Sequence, residues 1–260
     1  SGSALQRIAL SEYGNDPANW RSAAPLTITA RPQSLVVSNN TNPTFTVSAF
    51  GTGTLRYQWQ FNGSDLPGAT NAWLTLTQVT LSNAGYYTAV VSDDVNTATS
   101  LPGRLTVLAK PILTQHPRSL TLAVGDSGAV GVEAYGNTPM SFRWRKNNLT
   151  VTNMTLDSNV CWLEVSNAQL TNACAYDVVV TNQAGAGTPA LSQKAYMAVI
   201  QPPVSQRVQS GETVAFRTII GSAPSMTNRY KWFFEGVPIG EGAYTNTLAS
   251  TVLFTNELRL

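Results

Sequence analysis

Apolar and polar residues alternate with a period of two along most of this chain. Phe45, Val47 and Ala49 alternate and lead into Gly51, and Val130, Val132 and Ala134 do the same before Gly136. Val214, Phe216, Thr218 and Ile220 open a third run of the same kind. This period describes a strand with one face inward and the other toward water. The runs are rich in Val, Thr, Tyr and Leu and are broken by Gly, Asn and Pro at roughly 8–12-residue intervals, which predicts antiparallel strands packed as sandwiches.

The alternation repeats at a larger scale. Twelve residues after Val47 comes Trp59, and twelve after Val132 comes Trp144. Both lie in an aromatic-x-Trp context, Tyr57-Gln58-Trp59 and Phe142-Arg143-Trp144, and Tyr230-Lys231-Trp232 supplies a third. Leu74-Thr75-Leu76 matches Leu163-Glu164-Val165; Val79, Leu81, Asn83 and Tyr87 match Ala168, Leu170, Asn172 and Tyr176. Such self-similarity marks tandem copies of one structural unit. The expectation is an all-β chain of tandem antiparallel β-sandwiches, with Trp59, Trp144 and Trp232 each plugging the space between two sheets. Burying one such ring contributes on the order of 2–3 kcal/mol. Tyr87 and Tyr176 complete the expected core.

These matches divide the chain into a first sandwich over 26–108, a second over 109–200 and a partial third over 201–260. The junctions Ala109-Lys110-Pro111-Ile112 and Val199-Ile200-Gln201-Pro202-Pro203 are short and contain proline, which holds a chain extended. They predict an elongated, semi-rigid array. No counterpart of Tyr87 follows Trp232, so the chain is expected to be a piece of a longer protein, or its last domain to be unusual.

At the Trp, Leu-x-Leu and Tyr positions the chain resembles immunoglobulin-like domains of the intermediate-set type found in large bacterial surface and secreted proteins. The family's E–F corner motif reads here as Asn83-Ala84-Gly85-Tyr86-Tyr87 and Asn172-Ala173-Cys174-Ala175-Tyr176. The resemblance makes Tyr87 and Tyr176 the corner tyrosines, with hydroxyls returning to nearby backbone. It also implies that the family's inter-sheet disulfide is missing, its positions being taken by Val47 with Ala89 and by Val132 with Val178. Cys174 stands where the corner glycine belongs, so that turn is either distorted or needs no left-handed residue. Ser3, Leu5-Gln6-Arg7, Asn15-Asp16-Pro17, Trp20 and Pro25 resemble the C-terminal edge of a lamin-tail-like domain. Residues 1–25 are therefore expected to be the remnant of a preceding domain, or an irregular arm.

Composition narrows the chemistry. Charged residues make up 12%, against roughly 25% in ordinary soluble chains. The net charge is 16 − 14 = +2, which gives no electrostatic reason to expect nucleic acid or an anionic membrane. No apolar run is long enough to span a bilayer. The single histidine, His116, rules out most His-based metal sites and reads as a solvated edge residue. No nucleophile elbow, phosphate loop, zinc motif or convincing carboxylate pair is present, so no enzyme, cofactor or metal is expected. Asp93-Asp94 could attract a cation, but its place in an F–G hairpin reads as turn chemistry. Cys161 and Cys174 fall about seven extended residues apart, roughly 23 Å at ~3.3 Å per residue, so free thiols are expected. Four Asn-x-Ser/Thr sequons begin at Asn39, Asn62, Asn148 and Asn153.

Trp73 and Trp162 are the outstanding candidates for contact with a ligand. They occupy equivalent positions, each one residue before an inward Leu, so both point outward. Such a ring can stack on a sugar or a partner, or it can cover a sheet edge. Two functions follow. One is a non-catalytic spacer and interaction array of a secreted or cell-surface protein, serving adhesion or the presentation of other domains, with surface proteins or polysaccharide as partners. The other is a carbohydrate- or surface-binding module attached to an extracellular enzyme.

Overall fold

The computed structural model of the chain describes residues 5–7, 20–22, 25–185, 187–223, 226–245 and 252–259. It divides into two compact units, Ser1–Ala109 and Lys110–Leu260. Of the expected N-terminal remnant, the Asn15-Asp16-Pro17 turn lies outside the described residues; strand β1 (Leu5–Arg7) pairs antiparallel with β2 (Trp20–Ser22).

In the first unit the next strands are β3 (Thr27–Ala30), β4 (Leu35–Ser38), β5 (Thr44–Thr46), β6 (Ser48–Phe50), β7 (Arg56–Phe61), β8 (Ser64–Asp65), β9 (Trp73–Thr75), β10 (Gly85–Ser92), β11 (Thr97–Thr99) and β12 (Gly103–Leu108). One sheet runs β4-β12-β10-β7-β8, with β11 on β10. Facing it are the pairs β3–β6 and β5–β9. Val47, between β5 and β6, donates its N–H to Ala72 O at 3.0 Å, so the two pairs read as one layer. Phe45 and Val47 project inward from this layer; Trp59, Tyr87, Ala89 and Val91 meet them from the other. The Phe45 and Tyr87 rings stack at 4.8 Å, and Phe61 closes on Tyr87 at 5.0 Å.

The second unit contains β13 (Ile112–Gln115), β14 (Leu120–Ala123), β15 (Gly128–Tyr135), β16 (Met140–Lys146), β17 (Leu149–Leu156), β18 (Val160–Val165), β19 (Cys174–Asn182), β20 (Ala190–Leu191) and β21 (Ala195–Gln201). They are followed by β22 (Ala215–Ser222), β23 (Thr227–Phe234), β24 (Val237–Thr245) and β25 (Val252–Arg259). The layer β13-β15-β18 faces β17-β16-β19-β21, across a core of Val130, Val132, Phe142, Trp144, Cys161 and Val178.

The two E–F corners are built alike. In each, a 3-10 turn (Leu81–Asn83, Leu170–Asn172) is closed by its asparagine, whose Oδ1 accepts the N–H of Thr80 at 2.8 Å or Gln169 at 2.7 Å. Tyr87 donates its hydroxyl to Asn83 O at 2.8 Å, and Tyr176 donates to Asn172 O at 2.9 Å. Neither corner needs a left-handed residue, because Gly85 has no positive φ. What Gly85 supplies is space: a Cβ there would come within 2.5 Å of the Phe61 ring. In the second repeat Lys146 occupies the Phe61 position and reaches instead to Thr171 O at 2.6 Å, so Cys174 fits.

The third repeat departs from a sandwich. Strand β21 is used twice: Ala195–Met197 pair with β19, while Val199–Gln201 pair with β22, which in turn pairs with β25. One sheet therefore runs from the second repeat into the third. Gly221 makes the approach possible, since a Cβ there would lie 2.7 Å from Ala173 Cβ and 2.8 Å from Leu170 O. Strands β23 and β24 form a separate hairpin. Trp232, expected as a third inter-sheet plug, is only half-buried in that hairpin, and its neighbours Phe233 and Phe234 are exposed. Among the described residues β23 pairs with β24 alone.

Candidate functional site

Trp59 and Trp144 are fully buried, and Tyr87 and Tyr176 nearly so. The Trp59 indole donates to Asn71 O at 2.9 Å, and the Trp144 indole to the Cys161 thiol at 3.3 Å. Val47, Ala89, Val132 and Val178, at the disulfide positions implied by the resemblance, all lie in the cores. Cys161 and Cys174 are buried and are not joined in a disulfide. Burial pushes the Cys161 thiol above its ordinary range. It also pushes Tyr176 up to about 12, with the neighbouring Cys174 adding to the effect. These groups are locked inside and meet no ligand from solvent.

Asp93 is likewise committed. Its carboxylate accepts N–H bonds from Thr52 at 2.8 Å, Val95 at 2.9 Å and Asn96 at 2.6 Å, which hold it below the usual carboxylate range. Those bonds fasten the β10–β11 hairpin. Asp94 faces Arg56 at 3.5 Å. The acidic pair is therefore turn and hairpin chemistry.

The outward indoles differ from these. Trp73 is 56% exposed and Trp162 59% exposed. They sit in the same register, yet each faces a different cross-strand residue: Thr46 opposite Trp73, Gly131 opposite Trp162. A Cβ on Gly131 would fall 2.4 Å from Trp162 Cε3 and Cζ3 and 2.8 Å from Cδ2. The benzo half of the indole thus packs against the glycine while more than half of the side chain stays exposed. Gly131 has no positive φ, so it is required for space and not for backbone conformation. An aromatic laid across a strand glycine also covers backbone that would otherwise be bare. Thr46 carries a branched side chain where Gly131 has none.

A cleft of about 530 Å³ opens beside Trp162. Gly131 and Glu133 of β15 border it, with Gln115 and His116 from the end of β13 and Arg118 just beyond. The register that places Gln115 opposite Glu133 also joins their side chains: Gln115 Nε2 donates to Glu133 Oε2 at 2.6 Å. His116 is exposed, but it is not a loose edge residue. Its Nδ1 accepts the Gln193 N–H at 3.2 Å, which places the proton of the neutral ring on Nε2 as a donor. Sequence reasoning singled out Trp162 and missed Gly131, Gln115, Glu133 and Arg118. One signal was available: aligning Val47 with Val132 sets Thr46 beside Gly131, the substitution that lets the indole lie down.

Residues 111–192 match the model of the Immunoglobulin I-set domain. The immunoglobulin-like fold extends beyond this match. A solved structure of titin A168169 covers 68% of this chain and 98% of its own, at 15% identity and a TM-score of 0.56. Among curated relatives, Protein sax-3 of Caenorhabditis elegans is 27% identical over 171 residues, 63% of this chain and 13% of that protein. Endoglucanase C of Cellulomonas fimi is 29% identical over 146 residues, 53% of this chain and 13% of that protein. The chain thus corresponds to a small part of the relatives it matches. Among the described residues no helix is long and apolar enough to cross a membrane.

Proposed function

We propose that this chain is a non-catalytic spacer and interaction array within a larger secreted or cell-surface multidomain protein of bacterial origin, serving adhesion or the presentation of neighbouring domains. The observation that carries this reading is where the reactive groups are spent. Cys161, Tyr87, Tyr176, Asp93 and Asp177 are all buried and committed to bonds that hold strands, corners and hairpins. What remains for function lies on the outer faces. There the cleft has a single carboxylate, already bonded to Gln115, whereas glycoside hydrolysis calls for two. The resemblance of residues 1–25 to a lamin-tail-like edge supports a further domain upstream.

Assays for glycosidase, esterase and peptidase turnover on the purified chain test the reading, together with fractionation of cells expressing the parent gene. The expected results are no turnover and recovery at the surface or in the medium. Turnover that scales with chain concentration, or a cytoplasmic location, would overturn it. The second reading, an accessory module beside an extracellular enzyme, is favoured by the similarity to part of an endoglucanase and by the exposed Trp162.

A further inference from the structure

We propose that the Trp162 cleft of the second repeat is a binding site for a neutral saccharide, and that the equivalent surface around Trp73 in the first repeat is not. The proposal rests on the non-catalytic reading above and names the ligand class and the site within it.

Three observations converge. First, a pyranose ring presents a flat face of C–H groups and a rim of hydroxyls. Trp162 offers an apolar ring for that face, an indole packed against Gly131 and still 59% exposed at the edge of the cleft. Second, groups able to bond hydroxyls ring that platform. Glu133 and the Gln115 amide oxygen accept, while His116 Nε2 and Arg118 donate. The Gln115–Glu133 bond and the Gln193–His116 bond hold three of these side chains in place before any ligand arrives, which lowers the ordering cost of binding. Third, the cleft contains one cationic and one anionic side chain, Arg118 and Glu133, so its formal charge cancels and it selects for neither phosphate nor a polycation. Its volume of about 530 Å³ falls in the range of small-molecule clefts, about 300–1,000 Å³. In the first repeat Thr46 replaces the glycine, and its side chain occupies the space on which the indole would lie.

The test is a titration of the 260-residue chain with cellohexaose, xylohexaose and mannohexaose, followed by 15N–1H spectra that resolve the Trp162 and Trp73 indole signals. At least one oligosaccharide is expected to shift the Trp162 indole and the Gln115 and Glu133 amides and to leave Trp73 unmoved. Trp162→Ala should raise Kd about tenfold or more. Gly131→Val, which lifts the ring, should do the same while Trp162 itself is retained. Trp73→Ala should leave Kd unchanged. Amide spectra of each variant establish that the second repeat is folded, and Trp162→Phe, which keeps a flat ring, should recover most of the affinity. Absence of any shift across the three oligosaccharides, or equal shifts at Trp73 and Trp162, would overturn the proposal and leave the spacer reading standing. Release of reducing ends during the titration would instead overturn the non-catalytic reading.

Discussion

The first and second repeats solve the same packing problem with different side chains at matched positions, and the differences fall on their surfaces. Trp59 and Trp144 fill the two cores in the same way. One residue further along the strand, Gln60 faces Thr88 across a 3.4 Å contact, whereas Arg145 makes a two-pronged bond to Asp177 at 2.6 and 2.9 Å. At the corner, Gly85 yields space to Phe61, while Cys174 stands beside a lysine that has turned away. On the outer face, Thr46 opposes one indole and Gly131 the other. The interior thus tolerates little variation, because an indole between two sheets has a single place to go. The outer faces are free to diverge, and it is there that one repeat acquires a cleft.

The strongest way to challenge this view is through the shared core. Trp59→Ala and Trp144→Ala should each cost about 3–5 kcal/mol, through lost burial and the cavity left behind. Urea unfolding followed by amide spectra of each repeat reads the two separately. A much smaller loss in either repeat would mean that its ring is not the plug.

Asp177→Ala should destabilise the second repeat by roughly 2–3 kcal/mol, since it strands a partly buried guanidinium. Thr88→Ala at the matched position should cost no more than about 0.5–1 kcal/mol. Equal effects would erase the difference between the two repeats. Gly85→Ala should cost the first repeat about 1–3 kcal/mol by forcing Phe61 off Tyr87. The same measurement on Cys174→Ala should show a smaller change.

A last effect expected is one of pH. The folded state holds the Tyr176 phenol protonated up to about 12, while an unfolded tyrosine ionises near 10. Below pH 10 both states bind the proton and stability is unaffected. Between pH 10 and 12 the unfolded chain releases it first, so stability falls as pH rises. Cys161, also raised by burial, acts in the same direction from about pH 9 upward. Burial raises Tyr87 as well, so urea midpoints should drop between pH 9 and pH 11 in both repeats, with Cys161 adding to the fall in the second. Tyr176→Phe should flatten the dependence, and an unchanged slope would show that the corner tyrosine is not its source.

Local patterns made much of the fold legible. Alternation located the strands, and the spacing from Trp to corner Tyr aligned the repeats. Less was legible where partners come from distant strands. Ser100 and Ser192, buried and each accepting a strand N–H at 3.0 Å, carry no local signature. The expected plug at Trp232 came from a local motif, and the structure leaves that ring half-buried on a hairpin.

The sequence alone thus determined the period of the strands, the two principal repeats and which indoles of those two repeats face inward or outward, because these depend on neighbours within a strand or turn. The tertiary structure decided that β21 passes from one repeat's sheet into the next, that Arg145 meets Asp177, and that Trp162 lies on Gly131 above a polar cleft. Those outcomes depend on cross-strand register between segments tens of residues apart, which is settled only when two layers close around a common core.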